Sequence, residues 1–261
     1  MTISVVRAIG LVTIQDLGRP GRMHEAVPRG GALVPERLIA ANRAVRNPDD
    51  APAVEVLGQL VIRAGGELTV ATDTTAARTL AAGDELTVAS EPRRVGYLAV
   101  RGGIAAPLVL GGRGALLCAG LGGLVRAGHE LAGAGLAQVA PPPRPAERPA
   151  GPIRLIRGPD PDQFAPDALG ILVSSEYRVL PTSDRVGTRL DGPALPRTSA
   201  PEASRPMVRG AIEVPRDGKP IVLGPEHPTT GGYPVVAVVV HDDLGALHAV
   251  RPGSTIRFQY V

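Results

Sequence analysis

The residues best equipped for chemistry fall in three polar segments set between apolar runs. The densest is the loop from Pro225 to Pro234, which carries Glu226, His227, Thr229, Thr230, Gly231, Gly232 and Tyr233 in close succession. Polar and aromatic groups on a glycine-centred turn between rigid strands are how a scaffold presents a site. The same loop also reads as a structural turn, with Gly231-Gly232 supplying positive φ and Tyr233 covering a barrel end. Glu226-His227 could serve as an acid/base pair, although Pro228 beside them equally marks an exposed turn. The second segment, residues 183–192, sets Asp184, Arg185 and Arg189 around Gly187. It is either a self-paired turn or an anion clamp built on the planar arginine fork. In the third, residues 15–21, Asp16 and Arg19 are spaced to pair locally across a glycine/proline turn.

Other chemistries lack their residues. The five histidines, His24, His129, His227, His241 and His248, are scattered, and no H-x-x-x-H or C-x-x-C occurs, so a metal site has no support. There is no G-x-S-x-G and no phosphate-cradling G-x-x-x-x-G-K-[ST]. Gly111-Gly112-Arg113-Gly114 does not open a helix after a clear strand. Cys118 excludes an internal disulfide and reads as a small buried hydrophobe. The net charge of +3 comes from dispersed arginines, Lys219 being the sole lysine. No aromatic platform flanks the basic pair Arg93-Arg94, which argues against nucleic acid. No apolar run reaches the ~20 residues of a membrane span. The first residues form a strand pattern rather than a signal peptide, so the expectation is a cytoplasmic protein.

The elements that must position these segments are strands. Glycine (33) and proline (27) punctuate short β-branched runs, and aromatics make up only 2% of the 261 residues. The fold is therefore all-β with few short helices, its core built of Val, Leu, Ile and Ala. Ile3 to Val6 and Leu11 to Ile14 read as a hairpin broken at Gly10. Pro35 to Arg46 is the one convincing helix of the first half, with Pro at its start and Leu38, Ile39, Ala41 and Val45 toward the core. Turn signals at Gly58, Gly65-Gly66, Gly83-Asp84 and Pro92 separate five short strands between Val54 and Val100. Residues 141–152, almost all proline and small residues, read as a stiff linker between domains at 1–140 and 153–261. In the second domain Ala211–Val214 and Ile221–Leu223 flank a turn on Asp217-Gly218. Val235–Val240 reads as a strand buried on both faces, and Thr255–Tyr260 as the last strand.

Several stretches together resemble a known family. TIQDLGRPG at 13–21, SDRVGTRLDG at 183–192, GAIEVPRDGKPIVL at 210–223 and TTGGYP at 229–234 are similar to the biotin-dependent carboxyltransferase domain family, subdomains A and B. That family takes in the C component of 5-oxoprolinase, KipA and the second component of allophanate hydrolase. ANRAVRNPDDAPAVE at 41–55, YLAVRGGI at 97–104 and RPGSTIRF at 251–258 extend the likeness nearly end to end. The resemblance implies two cyclophilin-like β-barrel domains. It also implies obligate partners: a KipI-like B component and a LamB/YcsF-like A component. The implied activity is that of an ATP-dependent cyclic-amide hydrolase, opening 5-oxoproline to L-glutamate, or of a carboxyltransferase acting on a small amide. The assembled complex would use ATP; biotin belongs to some family members, and this chain has no biotin-acceptor segment. The positions matching family motifs are Asp16, Arg19, Asp184, Arg185, Arg189, Ser204, Thr229, Thr230, Gly231, Gly232 and Tyr233. Of these, Arg19, Arg185, Arg189 and Ser204 would bind an anionic group, with the Gly231 and Gly232 amides steadying an oxyanion. Tyr233, Thr229, Thr230 and Asp184 would act on the amide.

The departures from the family pattern are specific. Gly30-Gly31-Ala32-Leu33-Val34 stands where Ser-Gly-Ala-Met-Asp is usual, which removes an aspartate. Glu213 replaces a glutamine, Glu226-His227-Pro228 replaces Asp-x-Gln, and Ala249 replaces a late glutamine. Leu110-Gly111-Gly112-Arg113-Gly114 replaces L-G-S-R-S. Glycine and valine neither donate nor accept through a side chain. The substitutions therefore keep a second expectation open, a non-catalytic KipA-like regulator that binds a KipI-like kinase inhibitor.

Overall fold

The computed structural model describes residues 2–140, 151–198 and 203–261. By internal contacts the chain divides into two compact units, Met1–Arg22 with Arg29–Ala146, and Met23–Pro28 with Glu147–Val261. Residues 141–150 of the expected linker lie outside the described residues. Both units are β structures with short helices, as the turn-rich sequence requires.

The first unit is an antiparallel sheet of β1 (Thr2–Gln15), β2 (Ala53–Ala64), β3 (Leu68–Thr72), β4 (Arg78–Leu80), β5 (Glu85–Ala89), β6 (Gly96–Val100) and β7 (Glu130–Ala132). The order is β4-β3-β6-β2-β1-β7, with β5 branching from β2. Alternation sends Val54, Val56, Leu60 and Ile62 of β2 into the core. In β1 the buried positions change from odd (Ile3, Val5) to even (Val12), because a register shift between Val5 and Arg7 inserts one residue. Helix α1 (Pro35–Ala44) packs on β6 and buries Leu38 and Ala41. Ile39 is only half-buried, and the helix ends two residues before the expected Arg46. Asn47 secures that end: its Nδ2 donates to Val100 O (2.8 Å) and its Oδ1 accepts from Gly102 N (2.8 Å).

Two expected breaks prove to be one structural device. Gly10 does not end a hairpin arm, and Gly58 does not separate two strands. They sit opposite each other within the continuous β1–β2 ladder. Gly10 has φ +81° and Gly58 φ +138°; a Cβ on Gly58 would lie 2.1 Å from Ile9 O, and one on Gly10 2.3 Å from Leu57 O. The pair lets both strands bend together, and just beyond it β2 exchanges β6 for β5 as its neighbour. Cys118 also differs from its reading, being exposed rather than buried. It sits on a short turn, Leu117–Ala119, directly after the buried Leu116.

The second unit closes into a barrel. β8 (Ile153–Arg157), β9 (Glu176–Val179), β10 (Gly187–Asp191), β12 (Ala211–Glu213), β13 (Ile221–Leu223), β15 (Val235–Val239) and β16 (Thr255–Tyr260) run in the order β10-β13-β12-β15-β8-β16-β9, and β9 returns to β10. The remaining strands, β11 (Arg205–Pro206) and β14 (Thr230–Gly231), form a separate two-stranded ribbon. Leu155, Val179, Leu190, Ile212, Val222 and Phe258 fill the interior, joined by residues of α2 (Ala168–Ser174) and α3 (Leu244–His248). Tyr177 and Phe258 supply the aromatic contact, their centroids 6.0 Å apart. Asp243 is fully buried and takes Arg154 N (2.6 Å) and Nη2 (2.8 Å), so an ion pair closes β8 against α3.

A Gly58→Ala substitution should lower the unfolding free energy by at least about 2 kcal/mol, through backbone strain and the clash with Ile9 O. Gly66→Ala, where the added methyl meets nothing within 4 Å, should stay within about 1 kcal/mol of the parent. Urea unfolding of both variants checks this; equal losses would remove the assignment.

Candidate functional site

The second unit presents its polar row on the outside of the barrel. With Leu190, Ile212 and Val222 facing inward, Arg189, Ile221 and Glu213 face outward on β10, β13 and β12. Arg189 lies opposite Ile221, Ile221 opposite Glu213, and Glu213 opposite Val235 of β15. Neighbouring strands are about 4.8 Å apart, so Arg189 and Glu213 rise from the same face roughly 10 Å from each other. Arg189 is exposed and Glu213 half-buried. Burial pushes the Glu213 carboxyl up from its ordinary value of 4.5, and the Arg189 charge acts in the opposite direction.

The row ends at the glycine loop, which is clamped from three sides. Its N-terminal part runs against the 185–187 turn, with Gly224 N donating to Val186 O (2.8 Å) and Glu226 N to Arg185 O (3.0 Å). A Cβ on Gly224 would lie 2.4 Å from Arg185 O, so glycine is needed for this approach. Its middle part is β14, paired with β11, and Met207 N donates to Thr229 O (2.9 Å). Its C-terminal end is held by Asp160, whose Oδ2 accepts from Val235 N (2.8 Å) and whose Oδ1 pairs with Arg205. Gly231 and Gly232 do not adopt positive φ, contrary to the turn reading. Gly231 packs against Met207 instead: a Cβ there would lie 2.7 Å from the terminal methyl of that flexible side chain, which would have to shift. On this frame Thr230, Gly232 and Tyr233 are exposed and Thr229 is half-buried. Tyr233 shows 42% of its surface. Ser204 is exposed directly before β11.

Other residues singled out by type do structural work. Asp184 Oδ1 accepts from Val186 N (2.9 Å) and Gly187 N (3.0 Å), which shapes the turn. Arg185 is 2% exposed and its Nε donates to Glu226 Oε1 at 2.7 Å. This is a buried ion pair beneath the loop. His227 is also buried; its Nδ1 bonds Pro228 O (2.8 Å), which makes Nδ1 the protonated nitrogen, and burial pushes its pKa down. Glu226 and His227 thus face partners within the protein rather than forming an exposed acid/base pair.

In the first unit Arg19 and Asp16 are likewise buried and bound to backbone. Arg19 Nε donates to Val109 O (2.9 Å), and Nη2 to Gly114 O (2.8 Å) and Gly112 O (3.3 Å). Burial lowers the Arg19 pKa against the opposing pull of Asp16. Asp16 accepts from Gly18 N (2.8 Å) through Oδ1 and from Arg113 N (2.5 Å) through Oδ2. Leu110 and Gly111, both at positive φ, make a two-residue turn closed by the Val109–Gly112 bridge. Gly112 packs on Arg19 Cγ. These glycines therefore form a closed hairpin tip and leave no phosphate cradle. Glu55, which sequence reading missed, is fully buried and accepts from Leu33 N and Tyr97 Oη, both at 2.7 Å. The signal was a lone carboxylate inside an apolar strand, which must be partnered when buried. Asp160 was missed for lack of any such local contrast.

A closed seven-stranded barrel with a clamped glycine loop, together with a forked half-barrel sheet, is the architecture of a carboxyltransferase domain. Residues 25–260 match the family Carboxyltransferase domain, subdomain A and B, and the chain belongs to it. The chain is 31% identical to the C component of 5-oxoprolinase from Escherichia coli (strain K12), over 98% of this chain and 90% of that protein. The crystal structure of TTHA0988 superposes with a TM-score of 0.87 at 31% identity, over 99% of this chain and 55% of that one. This chain thus spans little more than half of that longer protein. The K. lactis urea amidolyase structure shares the fold, with a TM-score of 0.89 at 23% identity, over all of this chain and 19% of that one.

Glu226→Gln should lower stability by about 3 kcal/mol, since it leaves the Arg185 charge buried without its counter-ion. Arg185→Met combined with Glu226→Leu should lose less than the sum of the single changes in a double-mutant cycle; strict additivity would mean the two side chains do not act as a pair. Glu213→Gln tests the other acid. A carboxyl with a raised folded pKa contributes stability below its ordinary value of 4.5 and loses it as pH rises. The glutamine variant should therefore melt higher than the parent at neutral pH, and the difference should vanish under acid conditions. A gain independent of pH would show that ionisation is not its cause.

Proposed function

We propose that this chain is the C component of a 5-oxoprolinase-type assembly, a cytoplasmic complex that opens 5-oxoproline to L-glutamate with ATP. The observation that carries this reading is the 31% identity to the E. coli 5-oxoprolinase C component over nearly the full length of both proteins. The working surface is the outer face of the barrel. Arg189 holds the substrate carboxylate through its guanidinium fork. The Tyr233 and Thr230 hydroxyls donate to the ring amide carbonyl, and the exposed Gly232 amide faces the oxygen on which negative charge develops. Ring opening adds water across the amide C–N bond, so these donors are needed most when the carbonyl becomes tetrahedral. Ser204, beside Arg205 at the ribbon, borders the site. Arg185, Asp184, Asp160 and Thr229 position the loop.

ATP has no fitting place on the closed Gly111-Gly112 tip, so its chemistry is assigned to the partner proteins, the KipI-like B component and the LamB/YcsF-like A component. Among the described residues none is assigned to biotin. Glu213 opposes Arg189 on the shared face, where the family pattern has an uncharged glutamine. This weakens the anion site and favours a second reading, a KipA-like protein that binds its B-type partner without turning over substrate.

The test is ATP-dependent glutamate release from 5-oxoproline by this chain mixed with its cognate A and B proteins, against a mixture lacking the chain. Activity should require the chain. Tyr233→Phe and Arg189→Gln should each lower kcat/KM by at least about tenfold, a loss of about 1.4 kcal/mol in transition-state binding. A stable complex with the B protein that releases no glutamate would overturn the enzyme reading in favour of the regulator.

A further inference from the structure

The first sheet forks. Val54–Val56 of β2 pair with β6 and Gln59–Arg63 with β5, while β6 carries β3 and β4 away on the other branch. Between the branches lies a cleft of about 270 Å³, bordered by β3, the 73–75 turn, Arg78 of β4, β5 and Arg93. That volume is just below the range of pockets for drug-sized ligands, so it suits a smaller molecule.

Its lining has two characters. Val70, Leu86 and Val88, part of the sheet's own core, make an apolar floor. The rim is polar. Thr72 Oγ1 lies 3.1 Å from Thr74 Oγ1 and 2.9 Å from Thr75 Oγ1, forming a chain of hydroxyls along the edge. The one acid lining it, Asp73, has a side chain only 1% exposed and already neutralised by Arg93 Nη1 (3.2 Å) and Arg37 Nη1 (3.9 Å), with Tyr97 N (3.0 Å) on its other oxygen. Arg78 has no such arrangement: among the described residues it is exposed and makes no ion pair. The cleft therefore offers one uncommitted guanidinium and donor hydroxyls above a hydrocarbon floor.

We propose that this cleft binds a small aliphatic carboxylate, its carboxylate on Arg78 and the threonine hydroxyls and its hydrocarbon part on Val70, Leu86 and Val88. The site lies wholly within the first unit and stands independently of the reaction proposed above. Chemistry selects the ligand class. Arg78 favours an anionic head group over a neutral one and repels a cation, and the apolar floor favours a carboxylate with a short alkyl body over a fully hydrated inorganic ion.

Calorimetric titration of the whole chain with butyrate, acetate, butyramide and inorganic phosphate tests this. Butyrate should bind, acetate more weakly, and butyramide and phosphate at least about tenfold more weakly than butyrate. Arg78→Met should weaken butyrate by at least about tenfold and Arg78→Lys by less, both melting like the parent because the side chain is exposed. Three results would overturn the proposal: no butyrate binding, butyramide binding as well as butyrate, or an affinity indifferent to Arg78→Met. Phosphate and acetate both matching butyrate would also overturn it, because the floor would then contribute nothing.

Discussion

Backbone groups that no strand ladder reaches must still find partners, and in this protein buried charged side chains supply them. A buried amide or carbonyl without a hydrogen bond is destabilising, and a buried charge without a partner more so. Placing the two together resolves both needs. Arg19 takes carbonyls from the 109–114 turn, and Asp16 takes amides from Gly18 and Arg113. Glu55 takes Leu33 N, Asp73 takes Tyr97 N, Asp160 takes Val235 N and Asp243 takes Arg154 N. The loops of both units hang from these contacts.

The same constraint separates structural from presented residues at the candidate site. A loop that is to hold Tyr233 and Thr230 toward solvent needs its own backbone fixed, or the hydroxyls would sample many directions. Asp160, Arg205 and the β11–β14 ribbon fix one side, and the Arg185–Glu226 pair fixes the other. The exposed residues that do not themselves shape the backbone include Arg189, Ser204, Thr230, Gly232 and Tyr233. Those few side chains are carried by a much larger buried support.

Much of the fold was legible. Val235–Val240 reads as a buried strand and is found at Val235–Val239, and Thr255–Tyr260 is found at the same bounds, because β-branched runs between turn residues have few alternatives. The arginines were legible only as a type. Arg185 and Arg189 are four positions apart in one motif, yet Arg185, in the turn before β10, is buried against Glu226, while Arg189, on the outer face of β10, is exposed. Neither outcome is local, since Glu226 comes from a loop beyond three further strands, β11, β12 and β13.

The sequence by itself determined the element types, the all-β class and the family, because periodicity, turn chemistry and motif order are properties of neighbouring residues. It also singled out the polar loop at 225–234, as either a presented site or a structural turn. Only the tertiary structure decided that Gly10 and Gly58 form one bend, that Gly231 packs against Met207, and that Arg19 and Arg185 are structural. Each of those depends on atoms from a segment distant along the chain, and which distant segments meet is not written in the order of residues.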